Sequence, residues 1–565
     1  MSGPRRRSTR RKSGLSRRDF LRRAGSAAAI GALPLLPGCG SSDPRADGGS
    51  GNAEFLHGVA SGDPLSDRVI LWTRVSGVDS SVAVSYELAT DPGFANIVRR
   101  GQTSTSAARD YTVKVDADGL LPATSYYYRF RAQGQVSPAA RTRTAPAGAV
   151  ERLRVGVVSC SSYAHGYFNA YRKLAQRADI DVVLHLGDYI YEYGTGEYGS
   201  ARPYEPDHEI LTLADYRTRH AYYKREADVQ AVHRQHPFIT VWDDHETADN
   251  SWNGGANNHT EGAEGEWAQR KAWAIQAYHE WMPIRTPDAA NPERIYRSFR
   301  YGDLAEFTML DTRLIGRDLQ ASLVDAGSIN DAERQLLGEP QRNFLATTLA
   351  ATAGVKWKFL GQQVMFGQLR VGLPELSLLT NIPVEQLQSL LQGLPLVSTG
   401  GLVINTDQWD GYRAERQRVL DLISGLGLDN VVVLTGDIHS SWAMDISHDP
   451  NNPLVYNPLS GEGSRAVEFV CTSVTSPGLE PLNPLAPALR LLNPHMKYVD
   501  TARKGYLLLD IVPERVTGEF WYVDTIDAVS EDESFGTAFA TQDGSNRLSS
   551  AGQTEPVAGA PALVA

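Results

Sequence analysis

The chain has 565 residues, enough for two or three domains and a large hydrophobic core. Aromatic residues at 9% and charged residues at 21% are the proportions of an ordinary globular protein. The formal charge of −11 conceals an asymmetry: residues 1–23 carry +9, so the remainder carries −20, which argues against a nucleic-acid-binding regulator and against a surface drawn to anionic lipid. Anionic substrates stay open, because a multivalent cation overrides net charge locally.

Residues 1–39 read as a targeting segment. Ser16-Arg17-Arg18-Asp19-Phe20-Leu21 fits the twin-arginine pattern, and the apolar stretch Ala24 to Leu36 is too short and too rich in Gly and Ala to span a bilayer. Export through the twin-arginine translocation machinery, to the periplasm or the medium, is the expectation. Leu36-Pro37-Gly38-Cys39 is similar to a lipoprotein cleavage box, so a lipid anchor at Cys39 is the alternative to soluble release. Besides Cys39 only Cys160 and Cys471 occur. No bridge between them is expected, because Cys160 stands where a metal ligand would, and Cys471 reads as a small buried strand residue.

Residues 40–53, rich in Gly, Ser and Asp, read as a linker. Residues 54–147 have an all-β pattern of short alternating runs. Within them, Leu120 to Phe130 resembles the tyrosine-corner strand of fibronectin- or Ig-like sandwiches, and Ala145-Pro146-Ala147-Gly148 reads as a hinge. From 152 to 525 the pattern becomes α/β, with amphipathic helices expected over Phe168–Arg177 and Arg413–Ser424. Polar stretches at 193–236 and 250–267 read as lids or binding loops. Arg370 to Gly401 reads as an insertion without an assignable role, and 526–565 as a flexible tail.

Four apolar runs end in side chains suited to cations. They are Val155 to Cys160, Val182 to Tyr191, Phe238 to Glu246 and Val431 to His439. Buried strands whose carboxyl ends open into one crevice can bring such ligands together. Asp188 and Tyr191 offer a carboxylate, which can bridge two cations, and a phenolate, a hard donor suited to Fe(III); Cys160 offers a thiolate. Asp437 and His439, two apart on an extended segment, point the same way. Asp243, Asp244 and His245 add carboxylates and an imidazole that could protonate a leaving oxygen. Alone, each string is weak, since Gly-Asp serves turns and Asp-Asp-His-Glu can open a helix. Together they predict metal, because buried acids at four strand ends would repel one another without a cation.

Ser159-Cys160-Ser161-Ser162-Tyr163, Gly187-Asp188-Tyr189-Ile190-Tyr191-Glu192, Trp242-Asp243-Asp244-His245-Glu246 and Gly436-Asp437-Ile438-His439-Ser440, behind a twin-arginine leader and a small β-unit, resemble the PhoD-type alkaline phosphatases. These belong to the calcineurin-like metallophosphoesterases and are similar to purple acid phosphatases. The resemblance covers about residues 14–525. It implies an α/β fold, a four-layer αββα sandwich preceded by the β-unit. It also implies an Fe(III)/Ca(II) site at which a metal-bound hydroxide hydrolyses phosphomonoesters and phosphodiesters. By the same resemblance Cys160, Asp188, Tyr191 and His439 are iron ligands, with Asp188 bridging to calcium beside Asp437 and Asp244, and Asp243 a further member. His245 is the acid meeting the leaving group, and Asn250 a phosphate-contacting or supporting position. Gln362 and Gln363 follow the expected strand Trp357–Leu360; because neutral amides are poor ligands for Fe(III), they are read as supporting groups or calcium contacts, and Gln363 is also taken as a substrate-binding residue. Two other readings are a dedicated phosphodiesterase or phospholipase D-like hydrolase on the same site, and a non-catalytic surface binding protein working through the β-unit.

Overall fold

The computed structural model describes residues 52–322, 326–380, 383–390, 402–403 and 405–565. The twin-arginine segment, Cys39, most of the 40–53 linker and the end of the 370–401 insertion lie outside the described residues.

Two large sheets organise the body. In one, the strands Leu153–Val158, Val182–His185 and Pro237–Thr240 run parallel at the centre. In the other, Ala305–Met309, Trp357–Gly361, Val431–Thr435 and Ser464–Val470 run parallel. Apart from half-buried Lys358 and exposed Arg465, these strands are buried along their length, as expected of parallel strands covered on both faces. Val431–Thr435 displays the two-residue period directly. Val432 and Leu434 join the core shared with the first sheet, alongside Val157, Leu184 and Phe359. Val431 and Val433 join a second core with Leu345 of the helix Gly338–Ala350 and Leu420 of the helix Arg413–Gly425. The helix Asn169–Ala175 falls where its apolar spacing places it and packs Tyr171 and Leu174 into the shared core.

The β-unit is not walled off from this body. Val59–Gly62 pairs in parallel with Pro237–Thr240, setting Ser61 opposite Pro237, and is followed in the same sheet by Val69–Arg74 and Thr112–Ala117. The first sheet therefore has ten strands, three of them from before residue 120. The boundary drawn at 145–148 separates stretches of chain but not sheets. A five-stranded sheet that includes Val82–Ala89 and Ser125–Ala132 covers the extension, and Leu71 and Val113 pack with Leu88 and Tyr128 between them. At the expected corner, the Leu121 N–H donates to the Tyr126 phenol oxygen at 2.9 Å.

Two further expectations are corrected. The stretch 193–236 contains the helices Leu213–Lys224 and Ala227–Gln235. Thr212 and Asp215 form a capping box at the first, which buries Tyr216, Arg219, His220 and Tyr223. That buried face carries almost no aliphatic residues, so aliphatic periodicity cannot reveal it. The stretch 526–565 is not a loose tail. Glu533–Gln542 and Ser549–Ala551 close the edge of the ten-stranded sheet. Beyond them, the Pro561 carbonyl accepts from buried Arg141 at 2.7 Å and the Ala562 carbonyl from Tyr127 at 2.9 Å. Gln235 exchanges two hydrogen bonds with the Val564 main chain, at 3.0 and 2.8 Å. Main-chain carbonyls do much of the docking, helped by Val564, which packs with Phe94 and Tyr127, and by the Thr554 hydroxyl, so the small polar composition of the segment gives little sign of it.

Candidate metal centre

The four apolar runs end between the two sheets. Three come from the ten-stranded sheet and the fourth, Val431–Thr435, from the other. Register brings the first two turns together: Val158 lies beside His185, after which the Cys160 N–H donates to Gly187 O at 3.1 Å and Ser161 N–H to Asp188 O at 2.9 Å. From the facing sheet, Gly436 N–H donates to Gln363 O at 3.0 Å. Gly187 has φ 105°, and a Cβ there would stand 2.4 Å from the Asp243 Cβ, so only glycine lets the second and third turns approach this closely. Cys160, Asp188, Asp437 and His439 have φ of 60°, 57°, 60° and 57°. Each such left-handed non-glycine residue costs about 1–3 kcal/mol, and their concentration here marks a place where side-chain aim outweighs backbone comfort.

Cys160, Asp188 and His439 offer donor atoms within 4.8 Å of one another. The Tyr191 phenol oxygen is 2.9 Å from Asp188 Oδ2 and 3.4 Å from His439 Nε2. His439 Nδ1 lies 2.7 Å from the Pro477 carbonyl, which can only accept, so Nδ1 carries the proton and Nε2 faces the cluster with its lone pair. Burial, reinforced by Asp188, pushes the Cys160 thiol and the Tyr191 phenol well above their ordinary ranges. A cation reverses that preference by stabilising the anions.

Two more groups adjoin. Asp188, Asp244 and His245 form one and Asp243, Asp244 and Asp437 the other, each within 4.8 Å. Asp188 thus belongs to two of the three groups and Asp244 to two. The Asn250 N–H donates to Asp244 Oδ2 at 2.6 Å, while Asn250 Oδ1 and Asp243 Oδ2 are buried without a hydrogen-bond partner. Buried orphan oxygens are costly in water-free surroundings and suit a hard cation.

His245 Nδ1 is 2.7 Å from Glu192 Oε2, and its ring stacks on Tyr191 with centroids 4.2 Å apart. Burial works to lower the imidazole pKa, but Glu192, Asp244 and Asp188 outweigh it and hold the ring well above its usual range. Glu192 is itself secured by the Asp249 N–H at 2.8 Å and Asn258 Nδ2 at 2.9 Å.

Comparison with known proteins decides the family. The model of the PhoD-like phosphatase family matches residues 155–520, and that of the PhoD-like phosphatase N-terminal domain matches 40–146. The chain belongs to the PhoD-like phosphatase family. Alkaline phosphatase D of Bacillus subtilis (strain 168) is 36% identical over 529 residues, covering 89% of this chain and 84% of that protein. The solved structure of PhoD superposes with a TM-score of 0.78 at 33% identity, covering 90% of this chain and 94% of the other. The protein is a phosphatase, and its α/β fold is that of PhoD.

Within this PhoD-like site, sequence reasoning misplaced one residue and overlooked others. Gln363 is not available to a substrate: its Oε1 accepts from Thr312 N and Oγ1 at 2.9 and 2.6 Å, and its Nε2 donates to Leu310 O at 2.9 Å. Gln362 is likewise engaged, with Thr435 at 2.6 Å and Trp409 at 3.1 Å. Both amides brace strand ends. Glu246 went unassigned, yet its carboxylate accepts the N–H groups of Asp188, Tyr189 and Asp243 at 3.0, 2.5 and 2.7 Å, tying the second and third turns together. Arg313, fully buried, pairs with Asp243 and Asp437. It lies four residues beyond the strand Ala305–Met309, whose Glu306 and Thr308 break the apolar run, so the signature of the other four runs does not reveal it. Arg219 of the helix Leu213–Lys224 donates to the carbonyls of Tyr191 and Tyr193, fixing the segment that carries the phenol.

Proposed function

We propose that this phosphatase is an exported metalloenzyme with an Fe(III)/Ca(II) centre, hydrolysing phosphomonoesters and, as a second class, phosphodiesters. One observation carries the reading: a thiol, a phenol, a carboxylate and an imidazole converge beside a carboxylate cluster, to which Asp188 is joined through Asp244. The donor chemistry fits. Cys160, Tyr191 and Asp188 supply three anionic donors and His439 a neutral one, a set suited to a trivalent ion; Asp244, Asp437 and Asp243 supply the hard oxygens calcium takes. Bound there, the ions would draw charge from phosphate oxygens and acidify water.

The chain's own groups do the rest. Asp188 holds the two clusters in register. Asn250 steadies Asp244 through its N–H. His245, kept protonated by Glu192, delivers a proton to the departing ester oxygen, and its stacking on Tyr191 fixes its approach. Because the Cys160 thiol and the Tyr191 phenol both sit above their ordinary pKa ranges, loading the first cluster releases protons and is favoured by alkaline pH. His245 is only 2% exposed, which favours slim monoesters over bulky diesters. The four-layer arrangement is the architecture this reading adopts, with helices outside the two facing sheets.

The test is turnover of p-nitrophenyl phosphate against its bis-ester, before and after chelation. Faster monoester hydrolysis, lost on chelation and restored by iron and calcium, is expected. Preference for the bis-ester would favour a dedicated diesterase, and activity that survives complete chelation would remove the metal reading. Export by the twin-arginine machinery, to the periplasm or the medium, rests on Arg17 and Arg18, with a lipid anchor at Cys39 as the alternative to release. The Arg17→Lys, Arg18→Lys double variant is expected to stay in the cytoplasm; undiminished export would contradict that route. Among the described residues no helix is long and apolar enough to cross a membrane.

A further inference from the structure

We infer that Arg313 is a positioning residue that stands in for a cation among the second-cluster carboxylates, so that the ion-free chain folds with them already apposed. This rests on the reading of Asp243, Asp244 and Asp437 as a cation site.

Three buried carboxylates within 4.8 Å cannot all ionise without a counter-charge. Arg313 supplies one, and a guanidinium keeps its charge at any physiological pH. Its Nε donates to Asp243 Oδ1 at 2.5 Å and its Nη2 to Asp437 Oδ1 at 2.8 Å, with Asp244 Oδ1 at 3.6 Å. Its Nη1 meets both oxygens of Asp407 at 2.9 Å. The fork has five N–H groups, and most of them are spent on these carboxylates. Arg313 is therefore committed chiefly to carboxylates.

The guanidinium is also held from behind. Asp407 is gripped by Arg317, whose Nη2 donates to its carbonyl at 2.6 Å, and by Gln320 Nε2 at 2.7 Å. Gln320 donates in turn to Asn250 O at 3.0 Å, linking this support to the loop that steadies Asp244. Arg313 cannot swing away to leave the acids unpaired. Yet it takes only one oxygen of Asp243, whose other oxygen has no hydrogen-bond partner. The acids are thus held together with donor capacity to spare, and a metal ion arrives at a formed site instead of having to drive its folding.

Thermal unfolding of wild type, Arg313→Met and Arg313→Lys, each chelated and each reloaded with iron and calcium salts, tests this. The chelated Arg313→Met protein is expected to unfold more than about 5 °C below chelated wild type. Reloading should recover more than half of that deficit, widening the gap between loaded and chelated states. Arg313→Lys, which keeps the charge without the fork, should fall between. Folding of Arg313→Met only with added cation would support the proposal in its strongest form. Equal losses in both states, in either variant, would reduce Arg313 to a packing residue and overturn it. A wild type whose unfolding ignores chelation would overturn the cation reading itself, a distinct result.

Discussion

Substituting His245 with Ala is expected to lower kcat by more than about a hundredfold for an alkyl phosphate, the usual scale of general acid–base help. For p-nitrophenyl phosphate the loss should be much smaller, because that leaving group departs as a stable anion and needs no proton. The contrast separates proton delivery from simple damage to the site, which would depress both substrates alike. Glu192 gives the prediction a pH dependence. Its carboxylate, 2.7 Å from Nδ1, helps to raise the imidazole pKa, so the acid form persists into alkaline solution and is lost as pH rises through that pKa. Glu192→Gln lowers the pKa, so the alkaline limb of kcat for the alkyl ester should move to lower pH. Full alkyl-ester turnover in His245→Ala would end the assignment of the acid.

Asp188→Asn should have effects of opposite sign on activity and on stability. Asp188 meets Cys160 and His439 on one side and Asp244 and His245 on the other. Converting it to an amide removes the only carboxylate common to the first cluster and the Asp244 group. Activity should fall by more than the 10- to 100-fold that loss of a supporting partner typically costs at a metal site. In chelated protein the same change removes one of several mutually repelling buried anions. Burial, followed by the neighbouring acids Asp244, Asp188 and Asp437, raises the pKa of Asp243 against the pull of Arg313. The amide oxygen of the variant can still accept from Tyr191, whose phenol stands 2.9 Å from Oδ2 of the native Asp188. Chelated Asp188→Asn is therefore expected to unfold at or above the temperature of chelated wild type, while loaded protein unfolds below it. Thermal scans in both states check this; a drop in the chelated state would contradict the picture of stored repulsion.

The strand ends were the legible part of this molecule. Cys160, Asp188, Tyr191, Asp243, Asp244, His245, Asp437 and His439 lie together because each closes an apolar run, and a buried run that stops at a charge is a local pattern. Asn250 was legible only through its neighbours, and its N–H, not its amide, meets Asp244. Gln363 was misjudged because an amide at a strand end looks alike whether it faces a cavity or a neighbouring loop; only Thr312, fifty-one positions away, decides. Arg313 was illegible because the strand before it, interrupted by Glu306 and Thr308, is no apolar run, although a cluster of buried acids demands a base.

Long-range pairing was the illegible part. The join of Val59–Gly62 to Pro237–Thr240 rests on main-chain hydrogen bonds between segments about 175 residues apart, and β-pairing of that kind leaves no periodic mark in either partner. The docking of residues 552–565 is partly of the same kind, with Arg141 and Gln235 holding carbonyls that any sequence would present, while Val564 and Thr554 add side-chain contacts.

Iron K-edge X-ray absorption of the loaded protein, compared with its Cys160→Ser variant, tests the central claim most directly. The account predicts bound iron with one sulfur neighbour among oxygen and nitrogen donors, and loss of the sulfur signal in the variant. Protein that hydrolyses phosphate esters without iron, or whose iron has no sulfur neighbour, would contradict it.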